Sequence, residues 1–275
     1  MNMGLMSGKR GLVMGVANDH SIAWGIAREV ANAGAELAFT YQGEAFGKRV
    51  KPLAQSLGSY ILLPCDVDDS DGVANTFAEL RKHWDSLDFV LHAVAYSDKD
   101  ELKGRYLDTS RDNFAKTMAI SCYSFTEVAR EAQAMMTSGG ALLTLTYLGA
   151  TRVTPNYNVM GVAKAALEAS VRYLATDLGP NNIRVNAISA GPMRTLAGSA
   201  IANARFTYGW SRDQAPLNRS VELEEVGGAG LYLMSDLADG VTGEIHYVDC
   251  GYNLIGIPSP QRMTQSEVDK ARTND

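Results

Sequence analysis

A chain of 275 residues, 46% hydrophobic and 20% charged, can bury a large core, and its length suits a single α/β domain. The formal net charge of −6 argues against a general nucleic-acid binder, which needs a basic face for phosphate contacts. Cys65, Cys122 and Cys250 are far apart, with no CxxC and no zinc-type histidine spacing, so they are expected to be reduced and structural, with no metal site.

Residues 1–9 hold no apolar run fit for a signal peptide, and no stretch has the length of a bilayer span. A soluble, cytoplasmic protein without a membrane partner is expected. Residues 10–17 form a short apolar strand ending in small residues, and Ile22, Ile26, Val30 and Ala33 then recur at helical spacing. The alternation continues with strands over 35–41, 59–67 and 87–95, separated by helices over 44–58 and 70–84. One long helix over 110–136, a strand over 139–147, a helix from Tyr157 to Thr176 and a strand over 181–189 follow. A helix over 222–236 and a seventh strand within 240–254 close the pattern. Strict βα alternation with apolar, β-branched strands predicts an α/β fold, a doubly wound Rossmann-type domain with a seven-stranded parallel sheet. The domain is expected over residues 8–256, with a polar, frayed tail over 259–275.

In such sheets ligands bind beyond the carboxyl ends of the strands. Gly15 lets the first strand turn closely past a ligand, and Ser21 stands where a helix N-terminus offers free N–H groups to a pyrophosphate. A plain tight turn with a serine N-cap explains the same residues. The usual GxGxxG is absent, since only Gly15 and Gly25 occur there. On the helix after the fifth strand, Tyr157 and Lys164 are seven residues apart and so point the same way, roughly 10 Å apart along the axis. The bland explanation is a helix-start aromatic and a solvated lysine, with Val162, Ala165, Ala166, Ala169 and Val171 supplying the core face.

Taken together, Gly15-x5-Ser21-Ile22-Ala23, Cys65-Asp66-Val67 and His92-Ala93-Val94-Ala95 resemble the divergent short-chain dehydrogenase/reductases. Tyr147, Tyr157 and Lys164, followed by residues 188–195 from Ile188 through Gly191, Pro192, Met193 and Arg194 to Thr195, narrow the resemblance to the bacterial NADH-dependent enoyl-acyl-carrier-protein reductases. It covers residues 8–256. Ordinary members of the wider family carry tyrosine four residues before the lysine, but here that slot is Met160, whose thioether cannot deliver a proton. The slot seventeen residues before Lys164, usually serine, is Tyr147. Two phenols suit conjugate reduction, in which hydride goes to C3 while charge develops on a more distant carbonyl oxygen. Tyr157 is expected to stabilise that enolate as an oxyanion-hole donor would.

The resemblance implies that Lys164 binds the nicotinamide ribose and that Tyr147 shapes the acyl pocket, where a plain strand-end aromatic is the alternative. Ala93 falls in the cofactor set, and Met193 and Thr195 resemble residues that meet the carboxamide and the phosphates. Just beyond the second strand stand Tyr41, Gln42 and Glu44, with no basic residue before Lys48, which favours NADH over a 2′-phosphorylated cofactor. Gln42 replaces the usual acidic ribose ligand. Asp66 and Val67 resemble adenine contacts, although a helix-capping aspartate would look the same.

Residues 192–220 read as a small substrate lid, rich in small residues and able to form only a short helix, with little apolar area beyond Leu196, Ile201 and Phe206. They hold Arg194, Arg205, Arg212 and Arg219 against Asp213 alone, a local charge of +3. That edge would meet an acidic acyl carrier protein, or is simply a solvated loop. Four positions depart from the family. Ala202 and Phe206 stand where lysines occur on the lid, Ala95 adds a methyl group in the substrate pocket, and Cys250 replaces a glycine. The family builds a homotetramer, and Leu254, Ile255 and Ile257 fit such an interface. The activity implied is NADH-dependent saturation of trans-2-enoyl thioesters in type II fatty-acid synthesis. A carbonyl or 3-hydroxyacyl dehydrogenase and a non-catalytic NAD-binding sensor are the competing readings.

Overall fold

The computed structural model describes residues 4–199 and 204–257. The tail expected over 259–275, and the lid positions Ile201 and Ala202, lie outside the described residues. In chain order the first half comprises β1 (Arg10–Met14), α1 (Ile22–Asn32), β2 (Glu36–Tyr41), α2 (Gly43–Ser56), β3 (Ile61–Pro64), α3 (Gly72–Leu80) and β4 (Phe89–His92). Next come α4 (Arg111–Met118), α5 (Ser124–Gln133), β5 (Gly140–Thr146), α6 (Asn158–Leu178) and β6 (Ile183–Ala190). The chain continues through α7 (Leu196–Ser199), α8 (Ala204–Gln214), α9 (Leu223–Met234) and β7 (Ile245–Val248).

The seven strands form one sheet in the order β3-β2-β1-β4-β5-β6-β7, and every pairing is parallel. This is the expected fold. The register follows side-chain alternation: Leu12 and Met14 join the core on one face with Phe77, Phe125 and Leu167, while Val13 packs on the other with Ile26, Val30 and Val226. Each face is thus sealed by its own helices. Sequence order reverses between β1 and β4, which opens a crevice at their carboxyl ends.

Three expectations need correction. The strands are shorter than their apolar runs: β3 ends at Pro64 and β4 at His92, where their registers with β2 and β1 end, and Ala93 N–H donates the last bond to the Met14 carbonyl (3.0 Å). Asp66, Val67 and Ala95 therefore sit in loops. The helix expected over 110–136 is split by a five-residue π turn, Ala119–Tyr123. There Ser121 Oγ accepts from Tyr96 N–H (2.9 Å) and donates to Tyr96 O (3.0 Å), while Ser124 Oγ donates to Ile120 O (2.7 Å). Serine hydroxyls compete with regular helical bonding in this way. In the lid, α8 runs for 11 residues rather than as a short helix only. Phe206 stacks on Trp210 one turn later, with centroids 5.9 Å apart, and Ser211 is buried. Among the described residues no helix is long and apolar enough to cross a membrane.

Candidate active site

Gly15 ends β1 at the crevice with φ +96°, and a Cβ there would lie 2.1 Å from the Ala93 carbonyl oxygen. Both the dihedral and the contact demand glycine. Ser21 occupies the N-cap position of α1, yet its hydroxyl does not cap the helix. It accepts from Ala17 and Asn18 N–H (3.0 and 3.1 Å), pinning the loop back. Trp24 and Gly25 N–H donate to the Ser21 carbonyl (2.9 and 3.2 Å), which leaves the Ile22 and Ala23 amides to face an anion.

Across the crevice, Gln42 Nε2 donates to Asp66 Oδ2 (3.0 Å), while Asp66 Oδ1 accepts from Asp68 N–H (3.0 Å). Asp66 thus closes a turn and does not cap α3, whose N-cap is Asp71. Its bond to Gln42 brings two exposed polar groups from different strand ends to one place, beside half-buried Val67.

The bland account of α6 fails on burial. Val162 is 37% exposed, whereas Lys164 is 7% and Tyr157 8% exposed, and Val159, Ala163, Leu167 and Val171 supply the core face. Lys164 Nζ donates to Leu145 O on β5 (2.8 Å). That bond leaves part of its donor capacity for a ligand. Burial pulls its pKa down to about 8, opposed by the nearby Cys122 and Glu168. Tyr157 is the N-cap of α6, and its ring meets Tyr147 edge-on with centroids 5.1 Å apart. Burial holds the Tyr157 phenol well above its ordinary pKa and pushes Tyr147 up to about 12. Both therefore stay protonated at neutral pH. Met160 is buried against Tyr157, filling the slot that holds tyrosine in ordinary dehydrogenases.

Several supporting residues escaped the sequence reading. Gly149 makes room for the phenol, since a Cβ there would meet the Tyr157 ring at 2.4 Å. Asn158, at φ +38°, donates through Nδ2 to Leu102 O (3.2 Å) and Gly104 O (3.4 Å), fastening the start of α6 to the 101–104 loop. Leu102 in turn packs with Tyr157. Glu168, buried one turn beyond Lys164, accepts from Thr146 Oγ1 (2.7 Å). His92 is buried between Thr144 Oγ1 (3.1 Å) and Ser124 Oγ (2.9 Å), and burial beside Lys164 pulls its pKa down to about 3. It is a neutral strut. The paired asparagines around Tyr157 were the one legible signal, because asparagine tolerates positive φ.

Beyond β6, Met193 is half-buried, and Thr195 Oγ1 accepts from Gly198 N–H (2.9 Å). The lid charge is smaller than its composition implied. Arg212 pairs with Asp213 (2.7 Å), and Arg219 is held bidentately by Glu225 (2.6 and 2.8 Å), which lies outside the counted window. Arg194 and Arg205 remain exposed without an ion pair among the described residues. Ala95 is exposed at the crevice. No cluster of three or more His, Cys, Asp or Glu side chains able to hold a metal occurs among the described residues, and the three cysteines are free. Cys250 lies at φ +58°, a conformation that explains why glycine suits this position.

The donor set fits a dinucleotide: helix amides at one strand end, paired polar groups at the next, a buried ammonium and a threonine hydroxyl further along. When the sequence is compared with known proteins, the family model described as enoyl-(acyl carrier protein) reductase matches residues 15–253. An enoyl-[acyl-carrier-protein] reductase [NADH] of Rhizobium meliloti is 62% identical over 266 residues, covering 97% of this chain and 99% of the relative. The crystal structure of FabI from Candidatus Liberibacter asiaticus superposes with a TM-score of 0.92 at 57% identity, covering 94% of this chain and 100% of that one. The enoyl-(acyl-carrier-protein) reductase of Anaplasma phagocytophilum, solved in complex with NAD, gives 0.90 at 56% identity, covering 95% and 98%. On this identity and coverage, the chain belongs to the enoyl-(acyl carrier protein) reductase family.

Proposed function

We propose that this protein reduces the trans-2 double bond of enoyl thioesters carried on acyl carrier protein, using NADH, as a step of fatty-acid elongation. The observation that carries the reading is buried Tyr157 meeting half-buried Tyr147 edge-on at the start of the helix that also buries Lys164, with Met160 in place of the usual acid.

Bound NADH supplies the hydride that the substrate receives at C3. Gly15, Ser21, Ile22 and Ala93 shape the crevice for its pyrophosphate half, Gln42, Asp66 and Val67 hold the adenosine end, and Met193 and Thr195 line the nicotinamide side. Lys164 donates to the nicotinamide ribose with the capacity that Leu145 leaves unused. Neutral Gln42 meets the ribose hydroxyls while acidic Asp66, hydrogen-bonded to it, meets the adenine, which favours NADH over its 2′-phosphate.

The substrate carbonyl oxygen is received by the Tyr157 hydroxyl. As hydride reaches C3, electrons move to that oxygen, and a phenol held protonated by burial donates to the growing negative charge. Tyr147 meets the Tyr157 ring edge-on and walls the acyl pocket, and Ala95 narrows its mouth. Residues 192–220 act as a lid that excludes water, and Arg205 is the cation offered to the acidic carrier. The molecule works in the cytoplasm as a homotetramer.

The decisive assay follows NADH absorbance with a dodecenoyl thioester, with NADPH and an acetoacetyl thioester as controls. Oxidation of NADH by the enoyl substrate alone is expected. Activity confined to the ketoacyl control would make the protein a carbonyl dehydrogenase, and NADH binding without turnover on any substrate would make it a sensor.

A further inference from the structure

Tyr208, on the lid helix α8, has a buried hydroxyl oxygen with no hydrogen-bond partner among the described residues. Such a group costs stability unless a ligand completes it, and buried tyrosine hydroxyls in native proteins are ordinarily paired. Its position is specific. A Cβ on Gly198 would lie 2.6 Å from Tyr208 Oη, 2.7 Å from Met193 O and 3.2 Å from Thr195 Oγ1. The three oxygens therefore converge on one small volume just beyond the carboxyl end of β6. Only a residue without a side chain at 198 leaves room for the phenol there.

The surroundings say what would complete the bond. Burial raises the Tyr208 pKa, the charge of Arg194 opposes it, and Tyr208 in turn acts on Tyr147, so the hydroxyl is within electrostatic reach of both. An acyl chain offers no acceptor, and the thioester oxygen is assigned to Tyr157. An anionic oxygen close to Thr195 and Arg194 matches both the free donor and the local positive charge. We infer that Tyr208 is a further cofactor-binding residue, whose hydroxyl donates to the nicotinamide-side phosphate of the bound dinucleotide and so ties α8 to an occupied site. This rests on the reading of the crevice as a dinucleotide site.

Tyr208→Phe tests it, since the substitution removes only the hydroxyl. NADH and ADP-ribose, titrated calorimetrically, should bind about tenfold more weakly than to the wild type, the scale expected for one hydrogen bond to a charged group. AMP, which lacks that phosphate, should bind as before. The free variant should melt no lower than the wild type, because an unpaired buried group has been removed, while its thermal shift on adding NADH should shrink. NADH affinity within twofold of wild type would overturn the inference, as would an equal loss for AMP or a lowered melting temperature of the free protein. Failure of the wild type to bind NADH would instead sink the dinucleotide reading itself.

Discussion

At the scale of single residues, burial sets the chemistry. Tyr157 is kept protonated by its surroundings, so its proposed contribution is hydrogen-bond donation to developing charge. Tyr157→Phe should lower turnover by about 10²-fold with NADH affinity retained, the scale seen when one oxyanion-hole donor is lost. Unchanged turnover in a stopped-flow assay would remove the phenol from that role. Lys164 offers a pH signature with two opposite signs. Its folded pKa of about 8 lies below the ordinary lysine value of 10.5, so between these the unfolded chain holds the proton more tightly than the folded one. The Lys164 contribution to stability therefore rises with pH through that window, whereas NADH, which uses the protonated ammonium, should bind more weakly as pH passes about 8. Urea melts and NADH titrations of the wild type and Lys164→Ala from pH 7 to 10 separate the two effects. A variant with normal NADH affinity and an unaltered pH profile would refute the ribose role. None of this is visible in a residue string, because a lysine on a helix with ample apolar neighbours has no assigned depth until the helix packs.

At the scale of elements, α6 depends on how its first turn is fastened. Asn158 combines a left-handed backbone with side-chain bonds to the 101–104 loop, where Leu102 meets Tyr157. Asn158→Ala should cost on the order of 1–2 kcal/mol in urea unfolding, from a strained dihedral and lost bonds. It should also reduce kcat more than NADH affinity; equal losses in both would mean that the fastening does not act through Tyr157. The lid, in contrast, carries charge outward. With Arg212 and Arg219 already paired, Arg205 becomes the main test of carrier docking on α8. Arg205→Glu should raise KM several-fold for a carrier-protein substrate and little for a small thioester, and equal effects on both would count against docking there. The alternation of strands and helices was readable from hydrophobic period, but the π turn and the length of α8 were not. Both follow from contacts between segments distant in sequence or from side-chain bonding that period does not encode.

At the scale of the whole molecule, the parallel sheet gathers residues 15, 42, 66, 93, 147 and 193 at one edge, because every strand points the same way. That placement followed from the sequence once the alternation was recognised. The far edge raises a different matter. β7 ends the sheet, Leu254 and Ile257 beyond it are 76% and 86% exposed, and Leu254 lines a depression together with Leu217 and Tyr247. An open strand edge flanked by apolar side chains is a liability in a monomer and is relieved by a second copy. Light scattering should give about four times the 29.6 kDa chain mass, and Leu254→Arg should yield smaller species; a monomeric wild type would exclude the homotetramer.

The sequence by itself determined the fold class and put Tyr157 and Lys164 on one helix, because each depends on local periodicity. It also carried the family through the joint pattern of Gly15, Ser21, Tyr147, Tyr157, Lys164 and Thr195. Only the tertiary structure decided that Lys164 is buried and Val162 exposed, that Asp66 bonds Gln42, that Glu225 neutralises Arg219, and that the Tyr208 hydroxyl, without a partner among the described residues, lies at Gly198 with Met193 O and Thr195 Oγ1. Depth, partner and charge balance belong to pairs of segments brought together in space, and no one-dimensional pattern records which pairs those are.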